Sequence, residues 1–135
     1  MLTIKQLLRY TFTVAKKNSA QVEFSNIRRG YNKAGQPKYL VTAHSVKPNV
    51  RAHEAARYKC SCTALDKKKL FAGPVKVSCA CDFFMYYCEY ALHKQSAADI
   101  LYSNGEPPVE RNPKLQPSLC KHLYAMLTDI QDKRI

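Results

Sequence analysis

The spacing of apolar and polar residues changes period along this chain, and each change marks an element. Ile4, Leu7 and Leu8 recur at three- and four-residue intervals behind Thr3, which predicts a short helix capped by the Thr3 hydroxyl. The β-rich run from Tyr10 to Val14 ends that helix early or passes into a strand, and Lys16 to Ser19 reads as a loop. Gln21 to Arg28 and Tyr39 to Val46 come close to alternation, with Gly30, Asn32, Gly35 and Pro37 between them. This predicts a hairpin whose loop carries Arg28, Arg29, Tyr31, Lys33 and Lys38. Residues 51–57 are short and polar, enough for one helical turn.

The next two runs alternate more cleanly. From Arg57 to Leu65, Tyr58, Cys60, Cys62 and Ala64 share one face, and Arg57, Lys59, Ser61 and Thr63 share the other. From Val75 to Cys81, Val75, Val77, Cys79 and Cys81 share a face. The two runs are expected to pair antiparallel, with Lys67, Lys68 and Lys69 near the tip.

Past Cys81 the pattern is denser. Asp82 is a candidate helix cap, and Phe83, Phe84, Tyr86, Tyr87, Tyr90 and Leu92 are too crowded to face water together. Apolar spacing continues around Ala98, Ile100 and Leu101. Residues 105–117 hold four prolines and are expected to run extended over the surface. Ser118 to Lys133 is the clearest helix, with Ser118 as N-cap and a stripe of Leu119, Leu123, Met126, Leu127 and Ile130.

These elements predict an α+β fold: antiparallel hairpins in a small sheet and a C-terminal helix, within a single domain spanning 1–135. A basic helix and hairpin occupy 1–50, and a core occupies 57–130 with an insertion at 82–119. No run of about 18 apolar residues occurs, so no membrane-spanning helix is expected. Lys5, Gln6 and Arg9 interrupt the N-terminal stretch, unlike a secretion signal, so an intracellular location is expected.

Charge adds a partner class. The net formal charge is +12, and residues 1–80 hold 16 Lys and Arg against 3 acidic residues. Such a segment suits a polyanion, DNA ahead of RNA, or acidic subunits of a larger assembly. The residues expected at phosphates are Arg28, Arg29, Lys33, Lys67, Lys68, Lys69 and Lys121, with Tyr31 able to stack on a base.

Cysteine placement adds a metal. Cys79-Ala80-Cys81 closes a strand, and Cys120-Lys121-His122 opens a helix. Period two returns Cys81 beside Cys79, and a helix N-terminus favours thiolate at Cys120. Three thiols and one imidazole make a closed tetrahedral donor set for one structural Zn2+. Cys88 and His93, one helical turn apart, are an alternative second pair. Cys60 and Cys62 have no partner pair and read as core residues; a cross-strand disulfide from them to Cys79 or Cys81 would compete with zinc.

The pattern Cys-x-Cys, spacer, Cys-x-His resembles the SWIM zinc finger. Val77 to Phe83 is similar to the family's strand with its Cys pair and following aromatic, and Pro117 to Leu127 to its closing Cys-Lys-His-Leu helix. The resemblance spans roughly 57–130, with a spacer of 38 residues that is long for the family. It implies a ββα zinc fold and a DNA-binding or protein-interaction role without catalysis. The insertion and C-terminal stretch also look similar to small SWIM-like proteins of tailed bacteriophages, which implies a virion component (tail, baseplate or head) as the alternative role. No Gly-rich phosphate loop, His-Glu-x-x-His helix or serine elbow occurs. A closed donor set leaves no position for water, so no enzyme activity and no small-molecule substrate are expected.

Overall fold

Alternation, strict in two segments and approximate in a third, builds the centre of the molecule. In the computed structural model, which describes residues 1–25, 27–46, 56–103 and 105–133, strands β3 (Pro37–Ser45), β4 (Tyr58–Ala64) and β5 (Val75–Cys79) run antiparallel in that order. Cys60 lies opposite Cys79, Cys62 opposite Val77 and Ala64 opposite Val75. Tyr39, Val41 and Ala43 lie opposite Cys62, Cys60 and Tyr58. One face therefore collects the apolar side chains, and Lys38, Lys59, Ser61, Thr63, Lys76 and Ser78 fall on the other.

Two short strands, β1 (Val22–Phe24) and β2 (Arg28–Tyr31), share the remaining edge of β3. Phe24 pairs with Ala43 and Arg28 with Leu40, so this edge carries one more residue than β3 does. The surplus makes a bulge, which Ser25 holds by exchanging hydrogen bonds with the Thr42 backbone. The β2–β3 turn is shorter than the alternation predicted. Arg28, Arg29 and Tyr31 are on β2, Lys38 is on β3, and only Lys33 of the expected loop cations lies in the turn. The turn closes tightly because the Asn32 side chain bonds both the backbone and the side chain of Gln36, and Gly35 takes the positive φ of 76° that the reversal requires.

Helix α4 (Lys121–Lys133) lies across the apolar face and contacts β1, β3, β4 and β5. Its predicted stripe, Leu119, Leu123, Met126, Leu127 and Ile130, is fully buried. At the N-terminus, α1 (Ile4–Tyr10) starts at a capping box of Thr3 and Gln6. It stops at Thr11, and a second helix follows, α2 (Thr13–Asn18), with a 3-10 turn to Gln21. The first helix ends early, one of the two outcomes the β-rich run allowed, and the expected loop at Lys16 to Ser19 is replaced by helix. Tertiary bonds decide this. The Thr11 hydroxyl donates to Leu7 O and accepts from Leu119 N, and the Ser118 hydroxyl accepts from Phe12 N. Ser118 is thus committed to the α1–α2 junction and does not cap α4.

The insertion also packs more closely than the prolines suggested. A helical run starts at Asp82, has π-helical pitch over Phe84–Cys88, and continues as α3 (Glu89–Lys94). It ends in a Schellman motif, with Ala97 N bonded to Leu92 O and Ser96 N to His93 O. Ser96 occupies the left-handed position there, with φ 58°. Glu89 is fully buried, and one of its oxygens accepts the backbone N–H of Leu101, Tyr102 and Ser103 at 2.9–3.0 Å. Asn112, also buried, donates to Tyr87 O and Gln116 O. The proline-rich segment is thereby bound to the helical run instead of passing freely over it. Tyr86 departs from the expected aromatic core, standing 47% exposed under the Arg111 guanidinium. The turn expected over 51–57 falls largely outside the described residues.

Two substitutions test this reading of the insertion. Ser96→Gly removes a left-handed penalty and should raise unfolding stability by about 1 kcal/mol. Glu89→Ala should lower it by about 2 kcal/mol, the scale of hydrogen bonds to a carboxylate. Its amide exchange should accelerate first at Leu101 to Ser103. Denaturant midpoints and hydrogen exchange measure both.

Candidate metal centre and basic surface

Cys79 ends β5, and the chain turns at once into the next helical run. Cys81 therefore stands at a helix N-terminus and not in a strand. Its sulfur accepts the Phe84 N–H at 3.4 Å, and its carbonyl accepts from Met85 N. Cys120 repeats this at the head of α4: its sulfur accepts the Leu123 N–H at 3.5 Å and its carbonyl accepts from Tyr124 N. Two cysteine sulfurs thus fill cap positions expected for Asp82 and Ser118. Two helix N-termini converge on one spot, where their free N–H groups favour negative charge.

The four predicted ligands meet at that spot. The donor atoms of Cys79, Cys81, Cys120 and His122 all lie within 4.8 Å of one another, and all four residues are buried. His122 turns Nδ1 toward Cys79 Sγ at 3.9 Å, and its ring lies against Tyr58 with centroids 5.0 Å apart. The imidazole Nε2 is buried with no hydrogen-bond partner among the described residues. The thiols share charge unevenly. Cys79 is held far below the ordinary thiol range because the thiols of Cys120, Cys60 and Cys81 donate to its sulfur. Cys120 is pushed well up, first by burial. Contact with Cys120 draws Cys81 down, but its donation to Cys79 and its burial outweigh this and push it up to about 12. Hydrogen bonds from the neighbouring thiols thus support one thiolate here, against the cost of burial. A bound cation is the charge that lets the other thiols ionise as ligands. This buried set of three sulfurs and one imidazole nitrogen can hold a single metal ion.

The alternative pair does not assemble. Cys88 is buried, whereas His93 is exposed and its Nδ1 lies 3.1 Å from Ala98 O. Cys62 is buried in the sheet core, where burial pushes its thiol up. Cys60 is also core, but its sulfur lies 3.4 Å from that of Cys79. His44 lies between Glu23 and Arg57. His53 lies outside the described residues.

The expected nucleic-acid contacts divide into groups. The two hairpin tips are joined: the Gln36 side chain donates to Leu65 O at 3.0 Å, and Lys67 Nζ lies 3.0 Å from where a Cβ on Gly35 would sit. Arg29 lies over the Tyr39 ring, which stacks on Phe71 of the second tip at 4.5 Å. Lys33, Lys67, Lys68 and Lys69 thus belong to one end of the sheet, and Arg28, Arg29 and the 77% exposed Tyr31 line its adjoining edge. Lys121 sits at the metal end, at the opposite end of β5 from the tips. The sheet's outer face adds cations that the linear reading left out: Lys38, Lys59 and Lys76. Lys38 and Lys76 border a depression of about 290 Å3 lined also by Ser61, Thr63, Ser78 and Asp99, whose carboxylate pairs with Lys76 at 2.9 Å. Alternation already placed Lys59, Ser61 and Thr63 together, so this face was the available signal.

Replacing Cys120 by Ser should remove bound metal and lower the melting temperature, whereas Cys88→Ser should leave metal content unchanged. Elemental analysis and thermal melts of the two variants decide between the ligand sets.

Among the described residues, no helix is long and apolar enough to cross a membrane. Comparison of the chain with protein families, curated proteins and solved structures finds no match.

Proposed function

We propose that this chain is a non-catalytic zinc module of SWIM type that binds nucleic acid through its joined basic hairpin tips and the adjoining sheet face. The observation that carries the reading is the joining of the two tips, which turns separate runs of Lys and Arg into one cationic end. Zinc suits the donor set: three thiols and an imidazole, buried and free of carboxylates, match the soft tetrahedral preference of Zn2+. With four ligands closed around it, the ion acts as a clamp between β5, the following helix and α4. The outer face offers mainly Lys, Ser and Thr side chains, with Leu40 exposed and His44 buried among them, a surface suited to sugar–phosphate backbone more than to base edges.

The salt dependence of binding tests this directly. Affinity for a labelled DNA duplex should fall steeply between about 50 and 200 mM salt, by roughly a hundredfold or more. Changing Lys67, Lys68 and Lys69 together to Gln should weaken binding and reduce the slope of log K against log salt by about 3. A flat salt response sinks the proposal. Acidification should release zinc, because protons compete for the thiolates.

A second reading rests on a different surface. Tyr86, Tyr90, Tyr102, Val109 and Arg111 line a groove of about 440 Å3 in the insertion, and Tyr with Arg is the side-chain mix of protein interfaces. It supports a structural subunit of a larger assembly, such as a tailed-phage particle. Arg111→Ala would then abolish co-purification with that assembly and leave DNA affinity unchanged.

A further inference from the structure

The sheet register places a fifth thiol against the metal site. Cys60 and Cys79 are direct cross-strand partners on β4 and β5. Ala80 N donates to Lys59 O, so Lys59 and Ala80 are the hydrogen-bonded pair. Cys60 and Cys79 are therefore a non-hydrogen-bonded pair, whose Cα atoms approach to about 4.5 Å in antiparallel sheets. That separation lies within the range a disulfide tolerates. The two sulfurs are 3.4 Å apart, so forming an S–S bond of about 2.05 Å needs closure of only about 1.4 Å. Both sulfurs are free and buried. Cys60 is not one of the four clustered donors, so it is a spare thiol in contact with a ligand.

We propose that Cys60 and Cys79 are an oxidation site: peroxide converts them to a cross-strand disulfide and ejects the metal. This rests on the zinc reading given above. The Cys79 thiolate attacks one oxygen of hydrogen peroxide, breaking the O–O bond, and gives Cys79 sulfenic acid and hydroxide. The Cys60 thiol then attacks the sulfenic sulfur; its proton leaves with the sulfenic oxygen as water, and the S–S bond forms. Two thiol sulfurs lose one electron each, and one peroxide is reduced to water and hydroxide. Cys79 cannot ligate zinc once its sulfur is bonded to Cys60. Cys81, Cys120 and His122 remain as an incomplete set that holds zinc far more weakly. Cys81 and Cys120 also contact the Cys79 sulfur, but both are donors of the metal set whose sulfurs accept helix N–H groups, so Cys60 is the contacting thiol outside that set. Cys62, opposite Val77, has no thiol across from it.

The experiment begins with protein carrying one zinc per chain by elemental analysis. Hydrogen peroxide is added, zinc release is followed with a chromogenic chelator, and disulfides are mapped in non-reduced peptides. Zinc release should accompany a Cys60–Cys79 linkage, and dithiothreitol with added zinc should reverse both. Cys60→Ala should slow release about tenfold by removing the resolving thiol. Cys62→Ala, the same change two residues along the same face, should release zinc at the wild-type rate. Unchanged release in Cys60→Ala overturns the proposal, as does a map showing only Cys79–Cys120 or Cys81–Cys120. Should Cys60→Ala fail to fold, the peptide map of the wild-type chain decides. Should the chain carry no zinc, the zinc reading falls, and the same map still tests the disulfide.

Discussion

The contact on which the molecule depends is the seat of α4 across the inner face of the sheet. An antiparallel sheet with one apolar face needs a cover, and the buried stripe from Leu119 to Ile130 supplies it. Two tethers set how the helix enters: Thr11 to Leu119 and Ser118 to Phe12. Together they place the head of α4 beside the end of β5. Cys120 and His122 sit at that head, ahead of most of the stripe, so apolar packing alone delivers them to Cys79 and Cys81. A bound ion would lock an arrangement the core already favours, in a chain large enough to have a core of its own.

Where period was strict, the sequence was sufficient. The faces of β4 and β5, their pairing, the stripe of α4 and the four clustered donors could all be read from spacing. Several of the failures turned on a polar side chain bonded to something remote in sequence. Ser118 looks like a helix cap, but its hydroxyl is taken by Phe12, 106 residues away. Glu89 and Asn112 look like surface residues, yet each is buried to satisfy backbone groups of the insertion. The basic hairpin was legible by residue type, but which side chains lay on strands depended on how tightly Asn32 and Gln36 close the turn. The facing of Cys60 by Cys79 likewise needed the pairing register, which composition does not specify.

The architecture separates two kinds of chemistry. Thiols and imidazole sit inside, at one end of the β4–β5 hairpin, shielded by α4 and the insertion. Most of the clustered amines and guanidinium groups sit outside, at the other end, where Lys67 lies over Gly35, while Lys59 and Lys121 stay near the ligands. A polyanion meeting the basic end does not meet the metal ligands. The paired strands of the β4–β5 hairpin run between the two ends.

The edges of the sheet have a consequence of their own. The outer rim of β5 is occupied: Val75 N is bonded to Leu2 O, Thr3 bridges Pro74, and Val77 N is bonded to Ala97 O. The opposite rim is broken by the bulge at Ser25 and carries Arg28 and Arg29. Among the described residues, neither rim offers a long, neutral, unpaired backbone to another strand. The sheet is thereby protected from templating fibrils of itself through these rims, which leaves faces and side chains for higher-order assembly.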